Sequence, residues 1–155
     1  MKAGVETLQQ CRETLHAARH EVFTTTLDLS LVSGLAAVGR FDEAIACVDR
    51  TIERVEANGS LCWMPELLRI RGEILEKITD ERGAEAAYCR SIEIADQQSA
   101  LSWRLRASMS LARLQARQDR SDEARQGLAE TYARFSEGFE TTDLKAARLL
   151  LATIG

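Results

Sequence analysis

Two histidines in the N-terminal part of the chain have a spacing that metal sites use. His16 and His20 stand one helical turn apart, and Glu13 lies nearby. Two imidazoles on one face of a helix can bind the same cation, but a protein site needs at least one further ligand. The sequence offers no second ligand pair, so we interpret the histidines as a solvated or partly packed pair. We expect no metal and no other cofactor.

Arginine is the second residue type whose spacing indicates a chemistry. On the predicted helix 100–117, four side chains recur every three or four residues and share one face, and 62–78 carries a similar face. These faces hold Arg106, Met109, Arg113 and Arg117, and Glu66, Arg69, Glu73 and Lys77. A guanidinium can bind a carboxylate through two parallel hydrogen bonds. The faces therefore favour an acidic peptide or the free C-terminus of a polypeptide as ligand, with a solvated charged surface as the alternative.

Motifs of catalysis do not occur in the sequence, which has no GxSxG, no HExxH and no glycine-rich phosphate loop. The acidic pairs Asp42/Glu43 and Asp122/Glu123 fall where helices are predicted to begin. Negative charge at that end interacts favourably with the helix dipole, which explains these pairs without catalysis. We therefore expect that the protein is not an enzyme.

The composition predicts a soluble helical protein. Apolar residues make up 45% of the 155 residues, charged residues make up 28%, and there is a single proline. The net charge of −4 argues against a dedicated nucleic-acid or membrane-surface partner. Four cysteines without CxxC spacing (Cys11, Cys47, Cys62 and Cys89) fall at or near apolar helix positions, which predicts buried free thiols in a reducing compartment. We expect a cytoplasmic protein.

A period of 40 residues determines how these faces are positioned. Four series of residues share it: Ala44, Ala84 and Ala124; Val48, Tyr88 and Leu128; Thr51, Ser91 and Thr131; and Phe23, Trp63 and Trp103. Small side chains seven residues apart let two helices approach closely, and each aromatic ring is expected to wedge between successive units. A fixed period of this length is typical of helical repeat arrays.

The period predicts an all-α fold of about eight helices. Residues 4–19 form the second helix of a unit that lacks its first, and 142–153 form a C-terminal capping helix. Three complete units of two antiparallel helices cover 22–57, 62–97 and 100–135. Within them the predicted helices are 22–38, 42–57, 62–78, 82–97, 100–117 and 121–135.

Local signals mark the ends and contacts of these helices. Gly39 supplies a left-handed residue after the first helix of unit one, and Asp42 is predicted to cap the helix that follows. Ser121 or Asp122 is predicted to do the same in unit three. Gly72 lies in the middle of a helix, where alanine would be more helical by about 1 kcal/mol. We therefore expect a neighbouring helix to approach closely at Gly72.

This pattern resembles the tetratricopeptide repeat. Gly72, Ala84, Tyr88 and Ser91 match the spacing of its small, small, bulky and small positions. The same spacing recurs in the other two units, at Val32, Ala44, Val48 and Thr51 and at Ala112, Ala124, Leu128 and Thr131. The sequence departs from the family in its 40-residue period, where the usual repeat has about 34 residues, and in an aromatic residue that lies nearer the helix start.

A narrower resemblance covers most of the sequence. The runs WMPELLRIRGEIL, AEAAYCRSIEIADQQSALSWRLRASMSLARL and YARFSEGFETTDLKAARLLL are similar to the C-terminal tetratricopeptide region of large bacterial regulators. Those regulators join a class III cyclase domain or a winged-helix DNA-binding domain to a signalling ATPase and then to the helical array. The resemblance implies a sensor or interaction module of a signalling or transcription regulator, without the catalytic residues.

The function that the resemblance implies is a non-catalytic scaffold that binds a protein or peptide. In this family the first helices line a concave groove, which here would contain Arg69, Glu73, Arg106, Met109, Arg113 and Arg117. Two alternatives stay open. One is a small-ligand or signal-peptide sensor. The other is an oligomerisation module, with a homodimer formed through the open face of residues 4–19.

Overall fold

The computed structural model describes residues 2–17 and 21–154, and all regular structure in that part of the protein is helical. The helices are α1 (Lys2–Ala17), α2 (Glu21–Ala37), α3 (Phe41–Ala57), α4 (Met64–Lys77), α5 (Glu81–Gln97), α6 (Leu101–Arg117), α7 (Ser121–Tyr132) and α8 (Thr142–Thr153), with a 3-10 turn at Leu61–Trp63. The all-α prediction is confirmed, and the predicted helix bounds agree with these to within a few residues.

Packing follows the order of the helices along the sequence. Each helix contacts the next one, and a second set of contacts joins α2 to α4, α4 to α6, and α6 to α8. The even-numbered helices therefore form one layer. The odd-numbered helices pack against this layer, each one beside the even-numbered helices that precede and follow it.

Five successive connections between the helices, from α2–α3 to α6–α7, have one geometry. In each of them one residue has a positive φ: Gly39 (79°), Gly59 (68°), Thr79 (64°), Ser99 (54°) and Asp119 (60°). The next residue donates its amide hydrogen to a carbonyl five residues earlier, as Arg40 does to Leu35 (2.9 Å) and Asp80 to Leu75 (2.9 Å). This bond is typical of a Schellman turn. The left-handed residues lie 20 residues apart, so the 40-residue period contains two equal halves.

Thr79 is the left-handed residue at which substitution should stabilise the fold most clearly. A β-branched side chain is strained at positive φ, by about 1–2 kcal/mol, and Thr79 is exposed with φ 64°. We expect Thr79→Gly to raise the free energy of unfolding by about 1 kcal/mol, because relief of strain exceeds the extra entropy of glycine in the unfolded state. Urea denaturation followed by circular dichroism measures this. Gly59→Ala is the reciprocal control and should destabilise, and a destabilised Thr79→Gly variant would contradict the assignment.

Two predicted helix caps are wrong by one or two residues. The residue that caps α3 is Arg40, and the residue that caps α7 is Arg120, so Asp42, Ser121 and Asp122 lie in the first turns. The connection is so short that the residue after the left-handed position must also cap the next helix. Arg40 and Arg120 each bind the glutamate three residues later, Glu43 (2.6 Å) and Glu123 (2.7 Å). Asp80 is a conventional cap and accepts from the amide of Gly83 at 3.0 Å.

The core contains the residues that repeat every 40 positions. Ala44, Ala84 and Ala124 are at most 1% exposed, and the two accompanying series (Val48, Tyr88 and Leu128; Thr51, Ser91 and Thr131) are also buried. The expected close approach at Gly72 is confirmed, because a Cβ atom there would lie 2.5 Å from Cε1 of Tyr88. Ser91 on α5 donates to the carbonyl of Pro65 on α4 at 2.6 Å.

The predicted burial of the aromatic residues and the cysteines is found at some of these positions and not at others. Trp63 and Trp103 are both half-buried, and their rings pack against each other with centroids 6.0 Å apart, whereas the side chain of Phe23 lies outside the described residues. All four cysteines are free. Cys47 is buried as predicted, but Cys11, Cys62 and Cys89 are exposed. Cys89 is exposed because it follows the buried Tyr88 and points to the outer side of α5.

Candidate functional site

A groove with a volume of about 430 Å³ opens on the layer of even-numbered helices. Its lining comes from α2 (Ser33, Ala36 and Ala37), from α4 (Ile70, Glu73, Ile74, Glu76 and Lys77) and from α6 (Ser110, Arg113 and Arg117), with Phe41 from α3 and Tyr88 from α5. Neighbouring lining residues on each helix are one to four positions apart, which places them on one helical face. The small side chains of α2 and Ser110 leave the space between the three helices open.

The floor of the groove is apolar and its rim is charged. Ala36, Phe41, Ile70 and Ile74 form the apolar part, and Ile70 and Ile74 also belong to the core around α3 and α4. The rim has basic residues on both α4 and α6. This combination can bury an apolar group of a ligand while a polar group stays at the edge, which is the usual arrangement in ligand sites.

An ion-pair network joins three helices beneath this rim. The hydroxyl of Tyr88 on α5 donates to Glu76 on α4, and Arg117 on α6 donates to the other oxygen of the same carboxylate. Burial of Tyr88, together with its hydrogen bond to Glu76, raises the pKa of the phenol, so the hydroxyl remains a neutral donor. Glu76 is thus occupied on both oxygens and fixes the spacing of α4, α5 and α6.

Three of the residues predicted for the groove do line it, namely Glu73, Arg113 and Arg117. Arg69 lies beside them but is engaged within its own helix, because it donates to Glu66 at 2.8 and 2.9 Å and also to Glu73. Burial lowers the pKa of Arg69, but these bonds to Glu66 and Glu73 outweigh it and raise the pKa. With 15% of its side chain exposed, Arg69 is a structural ion-pair partner.

Of the remaining two predicted residues, Arg106 is bound by α8 and Met109 is covered by it. Arg106 donates to Asp143 of α8 at 2.6 Å, and its guanidinium lies 5.2 Å from the ring centre of Trp103. Met109 is 5% exposed and packs in a core cluster with Leu144 of α8. The groove surface therefore does not include Met109, since α8 packs against that part of α6. Spacing on α6 alone could not show which of its faces α8 covers.

Two cations at the groove are available to a ligand. Arg113 and Lys77 are exposed and form no ion pair with the other residues that the structure describes, whereas Arg117 is bound to Glu76. Of the four arginines predicted for the groove, only Arg113 keeps a guanidinium without an ion pair among the described residues, and Lys77 adds an ammonium group of the same kind. Their charge still favours a ligand that carries a carboxylate.

The apolar floor is the part of the groove that sequence reasoning missed. Ile70 and Ile74 follow helical spacing on α4, and Phe41 begins α3. Apolar residues at such positions usually belong wholly to the core. The signal that could have revealed them is the run of small residues on the facing helix, Ser33, Ala36 and Ala37. Small side chains at those positions leave an open space beside Phe41 of α3 and Ile70 of α4.

Metal-binding geometry does not occur among the described residues, where no three His, Cys, Asp or Glu side chains could hold one ion. His20 and the side chain of His16 lie outside the described part of the protein. Within the same described ranges, no helix has the length and apolar character needed to cross a membrane.

Comparison with known proteins assigns no family to this groove. No protein-family model matches the sequence, and no curated protein matches it significantly. The features that indicate a function are therefore the repeat pattern and the geometry of the groove.

Proposed function

We propose that the protein is a non-catalytic scaffold, a tetratricopeptide-like superhelix of antiparallel helix pairs that binds a peptide segment of another protein in its groove. The observation that carries this proposal is the groove itself. It combines an apolar floor with two unpaired cations, Arg113 and Lys77, on the layer of even-numbered helices. First helices line the binding side in the family that the repeat pattern resembles.

The repeat pattern supports the superhelical part of the proposal. Three series of residues 40 positions apart are buried alike, and the two helices of each period alternate between the layer of even-numbered helices and the odd-numbered helices packed against it. A stack of identical pairs with a constant offset produces a continuous curved surface, because each pair is rotated by the same small amount relative to the one before. Such a surface is suited to an extended or helical peptide.

The chemistry of the groove favours a particular kind of peptide. Its volume of about 430 Å³ accommodates a few apolar side chains above Phe41, Ile70 and Ile74. A carboxylate next to those side chains would reach Arg113 and Lys77 at the rim. We therefore propose a segment with bulky apolar residues beside an acidic residue or a free C-terminus as ligand, and no nucleic acid.

The wider context that we propose is a bacterial cytoplasmic regulator. The runs WMPELLRIRGEIL and YARFSEGFETTDLKAARLLL support this, through their similarity to arrays that follow a signalling ATPase. In that setting the array would act as the sensor or interaction module, and binding in the groove would control an attached effector domain. As a separate polypeptide the same array would act as an adaptor.

A small-ligand sensor is the second candidate function. The volume of about 430 Å³ lies within the range of roughly 300–1,000 Å³ that small-molecule sites occupy. Thermal shift assays with a metabolite library and with a peptide library distinguish the two candidates. Stabilisation by metabolites alone would favour the small-ligand sensor over the peptide scaffold.

Charge reversal at Arg113 tests the proposed peptide site. We expect peptides selected from a random library with free C-termini to bind Arg113→Glu at least about tenfold more weakly than the unmodified protein, since tenfold corresponds to about 1.4 kcal/mol, a modest value for one charge-assisted contact. Fluorescence polarisation with labelled peptides measures the change. Arg125→Glu is the matched control, because Arg125 is an exposed arginine of α7 that does not line the groove.

Two results would contradict the peptide site. If Arg113→Glu and Arg125→Glu weaken peptide binding equally, the binding depends only on the net charge of the protein. Undiminished binding to Ala37→Trp would exclude the groove as the location, because Ala37 is exposed on its wall and a tryptophan there fills the cavity. Circular dichroism shows whether each variant keeps its helical content.

A further inference from the structure

The open face of α1 is the surface that a preceding helix covers elsewhere in the repeat. Shifted by 40 positions, four residues of α1 correspond to four residues of α3 that are buried against α2. The α1 residues are Gly4, Thr7, Leu8 and Cys11, and the α3 residues are Ala44, Cys47, Val48 and Thr51. In α1 three of these four positions are exposed and Leu8 is half-buried. α1 therefore presents the face with which a second helix of the repeat normally binds its first.

The outward face of α8 corresponds, one period later in the sequence, to a face of α6. On α6 that face is covered by α7 and α8. α8 belongs to the even-numbered layer, because it contacts α6 as α6 contacts α4. The same shift relates Lys145, Arg148, Leu149 and Ala152 to the buried residues Leu105, Ser108, Met109 and Ala112. All four α8 residues are exposed, and Leu149 is the most exposed large apolar residue in the described part of the protein, at 67%.

The two open faces are complementary in shape. An apolar pocket with a volume of about 500 Å³ lies at the α1 end, lined by Gly4, Val5, Thr7, Leu8 and Gly34. Leu149 protrudes at the other end. In unit three the residue equivalent to Leu149, Met109, packs in one core cluster with Ala124 and Leu128. Those two residues are the equivalents of Gly4 and Leu8, so the repeat itself pairs Leu149 with the α1 pocket.

Charge favours this pairing over a symmetric pairing of two α8 helices. Arg148 and Lys145 flank Leu149 on the outward face, and Lys145 is paired with Glu140 at 2.8 Å. Two such faces would bring two Arg148 side chains together, and neither has an ion-pair partner among the described residues. Like charges in contact destabilise an interface. The α1 face carries no charged residue among Gly4, Thr7, Leu8 and Cys11. α8 therefore meets no like charge when its partner is α1.

We propose that a second copy of this protein binds head to tail, with α8 of one copy against α1 of the next and Leu149 in the pocket beside Gly4. The two helices complete a fourth unit across the junction, and a pair of copies keeps one free α1 face and one free α8 face. Such a heterologous contact leaves a free face at each end unless the rotation between copies closes a ring, so it adds copies beyond a dimer. This inference is independent of the groove, because none of the groove residues takes part in it.

Sedimentation velocity over a wide range of concentrations tests the proposal. We expect the average mass of the unmodified 155-residue protein to rise continuously with concentration and to pass that of a dimer. Gly4→Glu and Leu149→Glu should each remain monomeric. A side chain at residue 4 meets no other atom within 4 Å of its Cβ, so Gly4→Glu blocks the pocket without disturbing the fold. An equimolar mixture of the two variants should form a dimer and nothing larger, since one intact face of each kind remains.

Several outcomes would overturn the head-to-tail contact. A strict monomer at every concentration means that another polypeptide or segment covers these faces. A dimer of Leu149→Glu alone indicates a symmetric α1 pair, and a dimer of Gly4→Glu alone indicates a symmetric α8 pair. Ala46→Glu is the control, because Ala46 is an exposed small residue on the outer side of α3. Loss of assembly in that variant would show that the added charge acts non-specifically.

Discussion

Replacing Gly72 by alanine should destabilise the protein by about 2 kcal/mol, although alanine is the better helix former by about 1 kcal/mol. The new Cβ would lie 2.5 to 2.9 Å from three ring atoms of Tyr88. That ring is fully buried, and its hydroxyl is bound to Glu76, so it cannot turn away without breaking the network that joins α4, α5 and α6. Urea denaturation should show the loss as a lower midpoint. An unchanged or higher midpoint would contradict the close packing.

The other two units suggest the compensating substitution. Where unit two has Gly72 opposite Tyr88, unit three has Ala112 with Leu128, and unit one has Val32 with Val48. A larger residue on the first helix thus accompanies a smaller one on the second. We expect Gly72→Ala with Tyr88→Leu to be more stable than the sum of the single effects predicts, by at least about 1 kcal/mol, because contacting residues are coupled. Additive effects in this double-mutant cycle would mean that the two side chains do not constrain each other.

Removing the guanidinium of Arg54 should destabilise unit one by about 3 kcal/mol, since an unpaired buried charge is costly. Arg54 donates to Asp28 at 2.6 Å and to Thr24 at 2.7 Å. Asp28 is buried, its other carboxylate oxygen accepts no hydrogen bond from the described residues, and the nearest remaining cation is Arg12 at 4.0 Å. Arg54→Ile leaves this carboxylate without its main partner. Chemical denaturation of the variant measures the loss.

The double variant Asp28→Leu with Arg54→Ile is the control for Arg54→Ile. It installs the residues that unit two has at the equivalent positions, Leu68 and Ile94, which pack against the core. Replacing a buried ion pair by apolar residues of similar size is often neutral or stabilising. We expect the double variant to recover at least the stability of the unmodified protein. A double variant less stable than Arg54→Ile alone would show that the ion pair itself holds α2 against α3.

The helices and their core contacts could be predicted from the sequence because they depend on short-range patterns. Spacing of apolar residues predicted the helix bounds, and the 40-residue period predicted that Ala44, Ala84 and Ala124 are all buried. Gly72 predicted a close contact because a mid-helix glycine has a cost that only packing offsets. Each of these inferences needs information from one helix or from one repeated position.

Other features could not be predicted from the sequence because they depend on the position of a helix that is distant in the sequence. Arg106 and Met109 have the spacing of groove residues, but Asp143 of α8 binds Arg106, and α8 covers Met109. Arg69 and Arg117 have the chemistry of carboxylate binders, but neighbouring glutamates already occupy them. The turn residues Thr79, Ser99 and Asp119 adopt positive φ without glycine. Their conformation follows from the helices on either side, which a local residue preference does not reveal.

The equal spacing of the turns affects how the polypeptide reaches its folded state. With a reversal every 20 residues, each helix finds its packing partner within a short stretch of polypeptide, and few contacts join distant segments. Proteins with such local contacts lose little entropy before their interactions form, and they fold quickly. Any hairpin could serve as the nucleus, and order would then spread outward in both directions.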